Sequence, residues 1–266
     1  MADGWQPLVD DLFEERRVVE AVLEAIDDAV WDNPSPAEGW LLRDCVVHLC
    51  ETDDSAARIV EDRDKPPPAP TGRRGRRPDG VLTTAMVSWR RREPADVLQW
   101  YRVANDRLVA ALRELTGEER LRWAGRPMSA RSFATARLME HWSHGLDIHD
   151  AAGVVPADTD RLEPIARLGW MTREYAYTAH AMTPPETPLR VELTAPSGAT
   201  WVFGPPDAPD RVTGSAAGFC RVVTQRIHPD DTDLVATGPH ATEFLTIAQA
   251  FAGPPGSGRL PKGKPL

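Results

Sequence analysis

The densest collection of reactive side chains lies in "RLMEHWSHGLDIHDAAG", residues 137–153. Three of the chain's seven histidines fall within nine positions there, beside Glu140, Asp147 and Asp150. Such a segment fits a solvated helix face, a pH-sensitive patch or part of a metal site. On an α-helix, positions four apart share one face, so the Glu140 carboxylate and the His144 imidazole can converge on one cation. Two ligands make half a site, and a zinc ion needs at least a third. "RDCVVHLCE" offers one in His48, which sits among Val46, Val47 and Leu49, where an unpaired imidazole is awkward to bury. His48, Glu140 and His144 would form a His₂Glu set with an open position, the composition of catalytic rather than closed structural zinc.

The neighbouring residues have more than one reading. Asp147, three positions after His144, can orient its imidazole from outside the ligand set, and Asp44, one turn before His48, can do the same. Each fits equally well as a solvated acid. His141 and His149 do not share the direction of Glu140 and His144 and are expected on the outer or flanking surface. Cys45 and Cys50 flank His48; with Cys220 they make up all the cysteine, without the paired spacing of a disulfide framework or a thiolate zinc knuckle. Buried small hydrophobes in a reducing cytoplasm are the expectation, with a ligand or redox role for the flanking pair left open.

The elements that must position these residues follow from apolar spacing. Residues 7–30, 41–63, 93–115, 129–152 and 157–182 read as helices, with Pro94 in a first turn and Gly153 as a stop. Beyond them, "PLRVELTAPSGATWVFGP" alternates around "PSG" as strand–turn–strand, "RVTGSAAGFCRVVTQRI" reads as a strand entering a helix, and "HATEFLTIAQAFAG" as a last helix. The fold class is therefore α+β: a four- or five-helix bundle over residues 1–183, then a small α+β domain over 184–266.

Composition narrows the partners. A formal charge of −9 disfavours nucleic acid, and no apolar run is long enough to span a membrane. With no secretory pattern at the N-terminus, a cytoplasmic monomer or homodimer is expected. The one basic stretch, "GRRGRRPDG" at 72–80, lies in a proline-rich connection; it reads as a solvated loop, or as a flap able to bind an anionic ligand over the bundle mouth.

Three motifs carry a resemblance. "PAEGWLLRDCVVHL" (36–49) resembles the second-helix motif of DinB-like metal-binding bundles, and most nearly that of the mycothiol-dependent maleylpyruvate isomerase group. There an "EGW" turn leads to a metal-binding histidine. "RLMEHWSHGLDI" resembles the later motif of that group, in which a Glu and a His four apart complete a zinc site. "VTGSAAGFCRVVTQR" (212–226) resembles a C-terminal segment ending in an arginine proposed to act on substrate. The tail from Asp233 resembles an actinobacterial subgroup labelled with a wyosine-base-formation domain, but no iron–sulfur cysteine cluster supports such chemistry. The second half also resembles a sterol-carrier-like domain.

The resemblance implies ligation of a divalent metal, zinc, by His48, Glu140 and His144, and mycothiol as a thiol cofactor. It implies isomerisation of, or thiol transfer to, a small electrophile, with Arg226, and secondarily Arg221, on a substrate carboxylate. Two alternatives stand beside it. One is a thiol-independent metal-dependent hydrolase, hydratase or lyase in which Asp147 or His141 moves protons. The other is a non-catalytic, metal-stabilised protein that binds a lipid or small molecule.

Overall fold

The computed structural model describes residues 4–65, 82–123, 126–256 and 258–263; the basic stretch 72–80 lies outside them. The chain divides into two compact units, 1–156 and 157–266.

In the first unit, α1 (Trp5–Ala25), α2 (Leu42–Glu61), α4 (Pro94–Arg113) and α5 (Ala130–Ala152) form a bundle, with a short α3 (Thr84–Trp89) beside α2. Helix α1 packs on α4 and α5, and α2 packs on the same two. α1 buries Leu8, Leu12, Val19, Val22 and Leu23, the stripe its spacing anticipates. It stops at Ile26 rather than running to Val30, and Asp28–Asp32 form a 3₁₀ turn that seats Trp31 in the core. Acidic residues at 27 and 28 would oppose the negative end of a longer helix.

Local chemistry sets the other ends. Pro94 occupies the first turn of α4, the Ser129 hydroxyl caps α5 by accepting from Ser132 N at 3.1 Å, and Gly153 ends α5 with φ 70°. α5 is buried on most of its circumference. At Gly145 a Cβ would sit 3.0 Å from Val19 Cγ2, so the glycine lets α1 approach closely. Strands β1 (Arg120–Trp123) and β2 (Arg126–Ser129) pair antiparallel just before α5. This hairpin has no clear alternation in sequence, because each strand is only four residues long.

The second unit begins with a 3₁₀ turn at Asp160–Leu162, then α6 (Glu163–Met171) and α7 (Arg173–Ala179). Its sheet contains β3 (Leu189–Thr194), β4 (Thr200–Phe203), β5 (Asp210–Ser215) and β6 (Val235–Thr237), in the order β4-β3-β5-β6. The β3–β4 hairpin turns through "PSG", with Gly198 at φ 86°, while β5 runs parallel to β3 and antiparallel to β6. α8 (Ala216–Val223) follows β5 directly, and α9 (Pro239–Ile247) closes the unit. α9 ends six residues before the glycine at 253; beyond it the buried Gln249 amide donates to the Phe251 and Gly253 carbonyls at 3.0 Å each.

The division between units falls 27 residues before the expected boundary after residue 183. The run 157–182 breaks at Thr172 into α6 and α7, and its packing explains its membership of the second unit. Gly169 lies against Val223, where a Cβ would come within 2.7 Å, and the Trp170 indole donates to the Leu189 carbonyl at 3.0 Å. Among the described residues, no helix is long and apolar enough to cross a membrane.

Candidate metal centre

His48 projects from the middle of α2, whose flanking Val46, Val47 and Leu49 are buried. Glu140 and His144 project from successive turns of α5. The structure brings the three together: His48 Nε2 donates to Glu140 Oε2 at 3.4 Å, and His144 Nε2 lies 3.6 Å from the same oxygen. One ligand atom from each residue lies within 4.8 Å of the other two. Around a tetrahedral zinc with bonds of about 2.0–2.1 Å, ligand atoms stand roughly 3.3 Å apart, so the spacing and the donor set both fit a small dication. The side chains of His48 and Glu140 keep 24% and 25% of their surface accessible, leaving an approach from solvent.

Trp40 forms a wall of this cluster. Gly39 at φ 75° turns the chain, and the Trp40 carbonyl accepts from Ser35 N at 2.9 Å, fixing the residue just before α2. Its ring stacks on His144 at 5.6 Å with 14° between planes and lies 5.3 Å from His48. The "EGW" turn therefore delivers an aromatic face as well as a route into α2.

The electrostatics favour an ionised Glu140. Burial raises its pKa, but the His48 hydrogen bond and the positive potential of His144, His48 and Arg137 outweigh that and hold it well below the usual carboxylate range. Asp147, itself buried, places Oδ2 3.2 Å from His144 Nδ1. A proton on Nδ1 shared with that carboxylate leaves the Nε2 lone pair directed toward the cluster. Cys45, His144 and Asp147 also bring ligand atoms within 4.8 Å. Both Cys45 and Asp147 are buried behind the imidazole, which suits them to supporting it.

Several neighbours differ from expectation. Asp44 does not turn to His48: its carboxylate accepts from Leu41 N at 2.8 Å and from Arg90 at 2.5–3.1 Å. An aspartate in the first turn of a helix meets unpaired N–H groups there, and that local demand prevails. His141 and His149 are not on an outer surface but buried. His149 Nδ1 donates to the Gly145 carbonyl at 2.7 Å, and His141 joins Asp53, Arg137 and Tyr101 in a polar network inside the bundle. α5 is enclosed by neighbours on most sides, so a position off the Glu140–His144 direction is no longer an exposed one. Spacing alone held little sign of Asp53 or Tyr101; Arg137 and His141, four apart, were a pair that could have been noticed.

The arginines belong to the second unit. Arg221, on α8, pairs with Asp158 at 2.9 and 3.1 Å. α8 ends at Val223 and Gln225 adopts φ 59°, so Arg226 does not continue the helix; its Nη1 donates to the Thr224 carbonyl at 2.7 Å. The three cysteines are buried thiols, and burial raises those of Cys50 and Cys220 well above their ordinary range.

Comparison with known proteins places the chain in a family. Two uncharacterised proteins of Mycobacterium tuberculosis, from strains CDC 1551 and H37Rv, are each 44% identical over 253 residues, spanning 95% of this chain and 98% of the relative. The solved structure of mycothiol-dependent maleylpyruvate isomerase shares the fold with a TM-score of 0.60 at 18% identity, over 89% of this chain and 95% of the other. A histidine-to-alanine mutant of that enzyme matches equally, over 88% and 96%. Residues 12–149, just over half of the chain, match the family model for the mycothiol maleylpyruvate isomerase N-terminal domain. The chain therefore belongs to the mycothiol maleylpyruvate isomerase N-terminal domain family.

Proposed function

We propose that the protein is a metal-dependent enzyme, with zinc as the metal, that uses a low-molecular-weight thiol such as mycothiol on a small electrophile. The reaction class is cis–trans isomerisation or thiol transfer. The observation that carries this reading is the convergence of His48, Glu140 and His144 around a position open to solvent. Membership of the family supports the thiol and the isomerase class.

His48, Glu140 and His144 would hold the dication, whose charge would favour the thiolate of a thiol with a pKa otherwise near 8.5, the form able to add to an electron-poor double bond and leave again. The chain's own residues supply the rest. Glu140 offers an anionic donor already ionised, and Asp147 holds the His144 tautomer whose Nε2 lone pair faces inward. Trp40 closes one side, its ring lying against both imidazoles. By resemblance Arg226 is assigned to a substrate carboxylate, a group that a guanidinium binds in bidentate fashion.

Calorimetry of the zinc-loaded protein with mycothiol, before and after chelation, tests the reading. Saturable thiol binding that chelator removes is expected. Thiol binding indifferent to metal, or zinc binding with no thiol affinity, would refute it.

A further inference from the structure

Beneath the ligand cluster lies a polar network that supplies none of the proposed ligands; of its residues only Arg137 has figured above, through its charge near Glu140. Asp53, Arg137 and His141 are 0%, 3% and 0% exposed at their side chains. Arg137 donates from Nε and Nη2 to Asp53 Oδ1 at 2.9 and 2.6 Å, and His141 Nε2 donates to Asp53 Oδ2 at 2.7 Å. Arg137 Nη2 also donates to Thr52 Oγ1 at 3.0 Å, and that hydroxyl donates onward to the His48 carbonyl at 2.7 Å. On the far side the Tyr101 hydroxyl lies 3.3 Å from His141 Nδ1 and donates to the Arg16 carbonyl at 3.2 Å.

Two features single out this arrangement. First, it joins the two ligand-bearing helices within one turn of the ligands: Arg137 stands three residues before Glu140, His141 directly after it, and Thr52 one turn after His48. Second, a fully buried ion pair is a poor means of stabilising a fold, since its desolvation commonly offsets its attraction and apolar replacements of similar volume are often no less stable. What it does supply is direction. Hydrogen bonds of fixed length and angle define the axial register of α2 against α5, which apolar packing specifies less sharply.

We propose that Asp53, Arg137 and Thr52 are positioning residues for the metal centre, the network setting the register at which His48 meets Glu140 and His144. This rests on the metal reading of those three side chains. The network's hydrogen bonds act through the helix backbones, and the Arg137 charge adds to them near Glu140.

The test compares the full-length wild type with Asp53→Leu/Arg137→Met/His141→Phe, which removes the network while keeping its volume apolar. Zinc affinity is measured by chelator competition. In the metal-free proteins, the proton contact between the His48 and His144 rings, 4.7 Å apart at their centroids, is followed by NMR. The triple variant is expected to retain helix content and cooperative unfolding, to lose the ring contact, and to bind zinc about 10-fold more weakly or worse, a change of about one decade in Kd. Its cobalt-substituted form should show a changed ligand-field spectrum.

Unchanged zinc affinity with an intact ring contact would overturn the proposal. Should the triple variant not fold, Thr52→Val decides the matter: it removes the hydroxyl that accepts from Arg137 and donates to the His48 and Leu49 carbonyls, and should weaken zinc about 2- to 10-fold, the scale of a hydrogen bond's net contribution. Wild-type affinity in that variant would equally overturn it. A wild type that binds no zinc, but whose ring contact is lost in the triple variant, would remove the metal reading and leave the positioning role standing.

Discussion

Replacing His48 by alanine separates the metal site from the fold that carries it. Zinc in four-ligand peptides is worth about 10–16 kcal/mol, or about 3 kcal/mol for each ligand, which corresponds to about 100-fold in affinity. Loss of one of three protein ligands leaves the Glu140–His144 pair on a single helix, half of the site. The cost to the fold is smaller. The His48 side chain is 24% exposed, and its ring makes one hydrogen bond, to Glu140 at 3.4 Å, beside its contacts with Trp40 and His144. A hydrogen bond contributes about 0.5–1.5 kcal/mol net, so the metal-free variant should unfold within a few degrees of the metal-free wild type. The assay is elemental analysis of zinc per chain after dialysis against chelator, alongside circular dichroism. Expected is near-complete loss of stoichiometric zinc with helix content preserved. Wild-type zinc content and affinity in His48→Ala would refute the assignment, and so would the same result in His144→Ala.

Other outcomes follow from the same geometry. Asp147→Asn should weaken zinc about 10- to 100-fold without removing it, because the partner of His144 Nδ1 changes while the ligands remain; chelator competition measures this. Arg226→Ala should lower turnover while zinc content stays at the wild-type level, and equal loss of both would mark the arginine as structural. Asp53 predicts an acid limb for stability. Burial raises its pKa, but the charges and hydrogen bonds of His141 and Arg137 outweigh that and lower it from 3.8. A depressed carboxylate stabilises the fold above its unfolded pKa and loses that contribution as pH falls through the folded value. Urea unfolding of the metal-free protein should therefore show stability declining below about pH 3.8, with a shallower decline in Asp53→Asn. An unaltered slope would show that this carboxylate does not govern the limb.

The helices that carry the site were legible one segment at a time. Apolar spacing located α1, α2, α4 and α5 to within a few residues, and Pro94 and Gly153 marked ends that depend on backbone chemistry within a single turn. The proximity of Glu140 and His144 was equally local, since four residues of helix guarantee a shared face. Short or shared elements were less legible. The hairpin at 120–129 is too brief to show alternation, and the break at Thr172 left α6 and α7 packing with the sheet rather than with the bundle.

By itself, then, the order of residues determined which long segments of the bundle are helical and that two of the candidate ligands must point the same way. Only the tertiary structure decided that His48, 92 positions before Glu140, arrives at the same carboxylate oxygen. It also decided that Asp44 turns to Arg90 and that His141 faces inward to Asp53. The physical reason is range. Helix periodicity and capping are settled by neighbours within a turn, whereas the partner of a polar side chain depends on which helix is packed beside it and at what register.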